Sequence, residues 1–141
     1  MANWQATNVN TGAVEGPKYY EIGSIEEIWT VALTTALLSG DTILGPTMPA
    51  GCWLSNVVID TDALDSGGGI TFEAGYTGHL GAFIATGNTT AQTGGIQGAN
   101  VAGTVGLTST SNIQLLVTIT HVATTPVAGT MRLKLSYTAN P

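Results

Sequence analysis

An alternation of apolar and polar residues with a period of two runs through most of the chain from Cys52 onward, and it restricts the fold more than any other feature. Successive side chains of an extended strand point to opposite faces, so the pattern marks strands with one face turned toward a core. In CWLSNVVID, Cys52, Leu54 and Val58 alternate with Trp53, Val57 and Ile59. In ITFEAGY, Ile70, Phe72, Ala74 and Tyr76 alternate with Thr71, Glu73 and Gly75. Later, IQLLVTITHV sets Ile113, Leu115, Val117 and Ile119 on one face, and MRLKLSYT sets Met131, Leu133, Leu135 and Tyr137 opposite Arg132, Lys134, Ser136 and Thr138. Joined by ATTPVAG, these last two segments read as an antiparallel pair.

Upstream, SIEEIWTVALTTALL carries two competing signals. Ile25, Ile28, Trp29, Ala32, Leu33, Ala36 and Leu37 fall at helical spacing, with Ser24 and Glu27 placed as a capping box. Yet Ile25, Ile28, Trp29, Thr30, Val31, Thr34 and Thr35 are β-branched or aromatic, types that suit a pleated surface. The balance favours a strand over about 19–33 and a turn or short helical loop through LLSGD. Gly45-Pro46 and Met48-Pro49-Ala50-Gly51 read as turns. Residues 85–112, rich in Gly, Thr and Asn, read as a long loop with one short strand near Val105 to Thr108, and Gly94-Gly95-Ile96-Gln97-Gly98 as a flexible part of it. Residues 1–18 are polar and aperiodic and form an extended N-terminal arm, which could span roughly 60 Å at about 3.3 Å per residue. The remaining 19–141 form one domain, so the expected fold is all-β: a single antiparallel β-sandwich, jelly-roll-like, with that arm.

Composition limits the partners. The 141 residues carry a net charge of −6, and Lys18, Arg132 and Lys134 are the only cations. Nucleic-acid binding rests on clustered Lys and Arg that displace counterions, so no nucleic acid is expected as a ligand. No membrane association is expected either, because no apolar run approaches the ~20 residues needed to cross a bilayer. MANWQATNVN lacks a secretory pattern, which points to assembly in a cytoplasm. Charged residues are only 9% of the chain, so its surface rests on Thr, Asn, Gly and Ser and suits contact with neighbours.

Chemistry, if present, would sit in DTDALD, where Asp60, Asp62 and Asp65 close an apolar run. The spacing opens like a calcium loop, but Asp65 stands where an EF-hand needs Gly and Thr71 where it needs Glu. A different calcium site using Asp60, Asp62 and Glu73 is the sharper reading. Carboxylates capping backbone N–H groups at a strand end are the commoner one. His79 and His121 lack a nucleophile signature, and no GxSxG, HExxH or CxxC occurs. Cys52, the single cysteine, reads as a small buried residue. No catalytic residue, metal or cofactor is expected. Trp53, Phe72, Phe83 and Tyr137 lie in strand-like runs and read as core. Trp4, Tyr19 and Tyr20, in or beside the arm, are the candidate partner contacts, with Val9 beside them.

Over about Tyr19 to Pro141 the chain resembles head decoration, or cement, proteins of tailed double-stranded DNA phages. Gly40-Asp41-Thr42-Ile43 followed by Met48-Pro49-Ala50-Gly51, the Val57 to Leu64 strand and its loop, and Phe72 to Tyr76 with Gly75 carry the likeness. Gly129-Thr130-Met131-Arg132-Leu133 closes it. The resemblance implies a β-sandwich or jelly roll that binds the outside of an assembled capsid, commonly as a trimer. Its partners would be the major capsid protein and further copies of itself, and its place the virion exterior. It also implies that Asp60, Asp62 and Asp65 lie at a strand end and in its following loop. The alternative is a receptor- or carbohydrate-binding sandwich of a fibre or tail, with Trp53 or Tyr76 exposed as a stacking platform. A hydrolase pairing Asp62 with Glu73 stands third.

Overall fold

The alternating segments become strands whose apolar parity points inward. A computed structural model of the chain describes residues 3–4, 19–21, 24–34 and 37–139. The strands are β1 Asn3–Trp4, β2 Tyr19–Glu21, β3 Ser24–Leu33, β4 Thr42–Met48, β5 Trp53–Thr61, β6 Thr71–Tyr76, β7 His79–Asn88, β8 Gly95–Gly98, β9 Ile113–His121 and β10 Gly129–Thr138. One helical turn, α1 Thr90–Thr93, precedes β8. A front sheet has the order β1-β4-β9-β6-β7 and a back sheet the order β2-β3-β10-β5-β8. Pairing is antiparallel except for the two-residue β1–β4 contact. Leaving aside β1 and β2, the orders β4-β9-β6-β7 and β3-β10-β5-β8 form an eight-stranded jelly roll, in which the chain switches sheets repeatedly.

This topology corrects the expected β9–β10 pair. β9 lies between β4 and β6, and β10 lies between β3 and β5, so the two face each other from opposite sheets. Both are central strands, and Leu115 of β9 and Leu133 of β10 meet over Gly45 of β4. Ile113, Leu115, Val117 and Ile119 supply one wall of the core, and Met131, Leu133, Leu135 and Tyr137 the other. Each such large side chain, buried, contributes roughly 2 kcal/mol of transfer free energy.

The 24–33 segment is strand. β10 pairs with it along its full length, from Gly129↔Leu33 to Thr138↔Ser24, and a sheet position rewards its β-branched residues more than a helix would. Gly45-Pro46 is a bulge within β4, not a turn: Leu44 pairs with Leu116 and Thr47 with Gln114, which leaves one extra residue on β4. Pro46 has no N–H to offer a ladder and is tolerated there. A second bulge at Ser55 flips the parity of β5, because Tyr137 pairs with Leu54 while Ser136 pairs with Asn56. Leu54, Val57 and Ile59 therefore all point inward, whereas simple alternation assigns Leu54 and Val58 to one face. Residues 85–88 and 95–98, expected in a long loop, belong to β7 and to edge strand β8. Near 105–108 only Thr108 makes a bridge, to Trp53.

β6 and β7 form a hairpin around Thr77-Gly78, and β7 then folds closely over β6. A Cβ at Gly75 would lie 2.0 Å from the His79 carbonyl oxygen and 2.7 Å from the Leu80 carbonyl carbon. Backbone cannot yield as a flexible side chain can, so this position requires glycine. We predict that Gly75→Ala lowers stability by about 3 kcal/mol through this overlap. Gly78→Ala, at φ +85 with open space around it, should cost about 1 kcal/mol for the left-handed backbone alone. Thermal midpoints of the two variants separate steric from conformational cost, and equal losses would refute the assignment.

Candidate functional site

The acidic run resolves into two separate arrangements. Asp60, near the end of β5, pairs with Arg132 of β10, whose Nε donates to Oδ2 at 2.9 Å and whose Nη2 donates to Oδ1 at 3.3 Å. The same Nη2 reaches Asp62 Oδ1 at 3.2 Å, and Thr130 N–H donates to Asp62 Oδ2 at 2.9 Å. The Thr130 N–H, then Arg132, hold the Asp62 carboxyl below its ordinary value. This cluster is part-exposed and fastens the end of β5 to β10; its net contribution is small, as for other solvated pairs.

Asp65 differs in kind. It is 1% exposed, and its carboxylate accepts five backbone N–H groups. Gly67 and Ile70 donate at 2.8 Å and Gly69 at 2.5 Å, all within its own loop. Thr124 and Thr125, in the loop between β9 and β10, both donate at 2.8 Å. Burial disfavours the charge, but the N–H groups of Thr125, Thr124, Gly69 and Gly67 outweigh it and hold the carboxyl far below the usual carboxylate range. The glycines after Asp65 have a reason here: a Cβ on Gly69 would lie 2.2 Å from Thr124 Oγ1. Asp65 is thus a cap that joins two loops, and the signal that could have revealed it was the Asp followed closely by Gly67-Gly68-Gly69.

The other chemistry-bearing residues do not converge. Glu73 lies in the front sheet opposite Thr118, on the outward parity of β6, while Asp60 and Asp62 are engaged with Arg132 in the back sheet. Among the described residues, no group of three His, Cys, Asp or Glu side chains could hold a metal ion. His121 Nδ1 faces the carbonyl oxygens of Gly69 and Val122, both at 3.0 Å, so that nitrogen serves as donor. His79 packs its ring 4.9 Å from that of Tyr76, at the opposite end of the sandwich. Cys52 is buried.

Of the four candidate contact residues, Trp4 lies in β1, whose backbone pairs in parallel with Thr42–Ile43 of the chain's own β4. Tyr19 and Tyr20 lie in β2, opposite Glu26 and Ile25 of β3. Because β3 and β4 border the same side of the sandwich, both pieces gather there. Val9 and the rest of the arm lie outside the described residues, as do the side chains of Trp4, Tyr19 and Tyr20. Phe72, Phe83 and Tyr137 are core as expected, but Trp53 is not: it is 52% exposed. It pairs with Thr138 ahead of the bulge at Ser55, so strict alternation groups it with inward Val57 and Ile59, and only the bulge turns it outward.

Among the described residues the jelly roll thus carries hydrogen-bonded aspartates at one end and an exposed Trp53 at the other. No protein-family model and no curated protein matches the chain. Two solved structures share its fold. A chain in the capsid of Ralstonia phage GP4 superposes with a TM-score of 0.79 at 22% identity, over 99% of this chain and 99% of that one. A chain in the cyanophage Pam1 capsid asymmetric unit superposes with a TM-score of 0.72 at 22% identity, over 95% and 98%. At such identity the likeness is one of fold.

The Asp65 cap generates a pH prediction. Its folded pKa is depressed, so the unfolded chain binds more protons once the pH drops toward the ordinary carboxylate value of about 3.9. The stabilisation is therefore complete above that value and is lost on further acidification toward the folded pKa. Asp65→Asn, which cannot accept five N–H bonds as a carboxylate does, should lower the thermal midpoint at pH 7 and flatten its fall below pH ~4. Thermal midpoints from neutral pH down to pH ~2 check this, and parallel curves for the two proteins would exclude the role.

Proposed function

We propose that the protein is a non-enzymatic virion structural protein that binds the outer surface of an assembled phage capsid and stabilises it. One observation carries this reading: nearly the whole chain superposes on nearly the whole of a chain from each of two phage capsid structures. The acidic balance supports it, since a net charge of −6 suits an outer shell better than a surface facing packed DNA. In this reading the major capsid protein is the partner, copies of the chain associate as a trimer, and residues 1–18 reach a neighbour. Trp4, Val9, Tyr19 and Tyr20 would be the contacts. Many weak contacts repeated over a lattice bind tightly together even where each is feeble.

Co-sedimentation with isolated capsids tests the reading, comparing the full chain with a form lacking residues 1–18. The full chain should pellet at a fixed stoichiometry, and the shortened form should bind about tenfold more weakly or worse. Light scattering of the free protein should give three times the 14.4 kDa chain mass. Failure of the full chain to pellet with capsids would overturn the capsid reading.

A further inference from the structure

At the end of the sandwich opposite Asp65, three connections meet. The turn after β4 is tied to the loop before β9, since Gly51 N–H donates to Ser109 O at 2.8 Å and Ala50 N–H to Asn112 Oδ1 at 2.9 Å. Leu54 N–H donates to Leu107 O at 2.9 Å, and Trp53 bridges Thr108. The β6–β7 hairpin completes the rim with Tyr76, Thr77 and His79. Two open grooves of about 560 and 360 Å³ lie here and share Ser109. One is floored by Trp53 beside Thr108 and Thr110; the other runs past Tyr76, His79 and Asn112.

The character of this surface is specific. Neither groove is lined by an Asp, Glu, Lys or Arg. Instead it joins a half-exposed indole to hydroxyl and amide groups on a hydrogen-bonded frame, and Tyr76 continues it inward by stacking 5.6 Å from Phe83. A neutral sugar ring presents an apolar C–H face and a girdle of hydroxyls, and it calls for this combination of aromatic face and uncharged polar groups. Nucleic acid would need cations, and the described ones, Arg132 and Lys134, are held in ion pairs on the back sheet. A protein hot spot would surround the indole with apolar groups that exclude water, whereas here its neighbours in the groove are Gly51, Thr108, Ser109 and Thr110.

We propose that this end of the molecule binds a neutral oligosaccharide, with Trp53 stacking on a sugar ring and the Thr108–Asn112 segment and Tyr76 contacting its hydroxyls. The aspartates take no part: Asp62 lies nine residues along from Trp53, on the order of 30 Å away at the other end of β5. A single site of this open kind binds weakly, with Kd on the order of 0.1–1 mM. Repetition over a particle would raise the avidity and attach it to a glycan-bearing surface.

The inference stands apart from the capsid reading, and the test uses the free full chain without capsids. The protein is screened against neutral hexose and N-acetylhexosamine oligosaccharides, and a hit is titrated by calorimetry. Trp53→Ala should weaken binding about tenfold or more and Thr110→Val about threefold, while Asp62→Asn should leave it unchanged. Because Trp53 is half exposed, the Trp53→Ala variant should keep its thermal midpoint within a few degrees, separating lost contact from lost fold. Two results would overturn the proposal: no oligosaccharide bound at about 10 mM, or binding that survives Trp53→Ala.

Discussion

Everything in this fold depends on β9 and β10 facing each other across one core instead of pairing edge to edge. Each is central to its own sheet, so each needs a partner on both sides, and the strands added around them give the jelly roll its alternating path. The arrangement places Leu115 and Leu133 over a glycine in β4 and allows no larger residue there without displacement. It also sends the 122–128 segment across the end of the sandwich, where backbone N–H groups leave water without a ladder to join. Asp65 answers that need: one buried carboxylate accepts from both crossing loops, and a charge stays buried because it is fully hydrogen-bonded.

The same path separates the molecule into regions of different chemistry. One end holds Asp60, Asp62 and Asp65, engaged with Arg132 or with backbone, and the other holds Trp53, Tyr76 and a hydroxyl-rich rim. The side bordered by β3 and β4 receives the two short N-terminal strands. The opposite side is closed by side-chain and loop contacts: Asn100 accepts from Ala85 N–H at 2.9 Å, and Asn88 donates to Gln97 at 2.9 Å. Such coverage protects sheet edges from indiscriminate pairing and leaves recognition to the loops and to the arm.

How much of this was legible depended on whether a signal was local. Period two identified β6, β9 and β10 and their inward residues, because strand parity is a property of consecutive residues. It failed on β5, where one extra residue at Ser55 reverses the parity, and on β8, whose GIQG offers too few apolar side chains to mark a strand. Gly45-Pro46 carries the same residues as a turn, and only pairing with β9 makes it a bulge. Trp53 reads as core because strict alternation sets it on the face of Val57 and Ile59, and only the bulge between them turns it outward.

The sequence by itself determined that the chain is an all-β protein with one core and few charges, three of them cationic, since composition and alternation are local quantities. It also contained the Asp and glycine run that caps the loops, without revealing what would be capped. The tertiary structure alone decided which strands are neighbours, that β9 and β10 oppose rather than pair, and that Asp65 collects donors from Thr124 and Thr125. It alone brought Trp53 and Tyr76 to one end and left the aspartates at the other. Those outcomes join residues far apart in the chain, and such pairings are selected by the burial of the whole core, which no local pattern encodes.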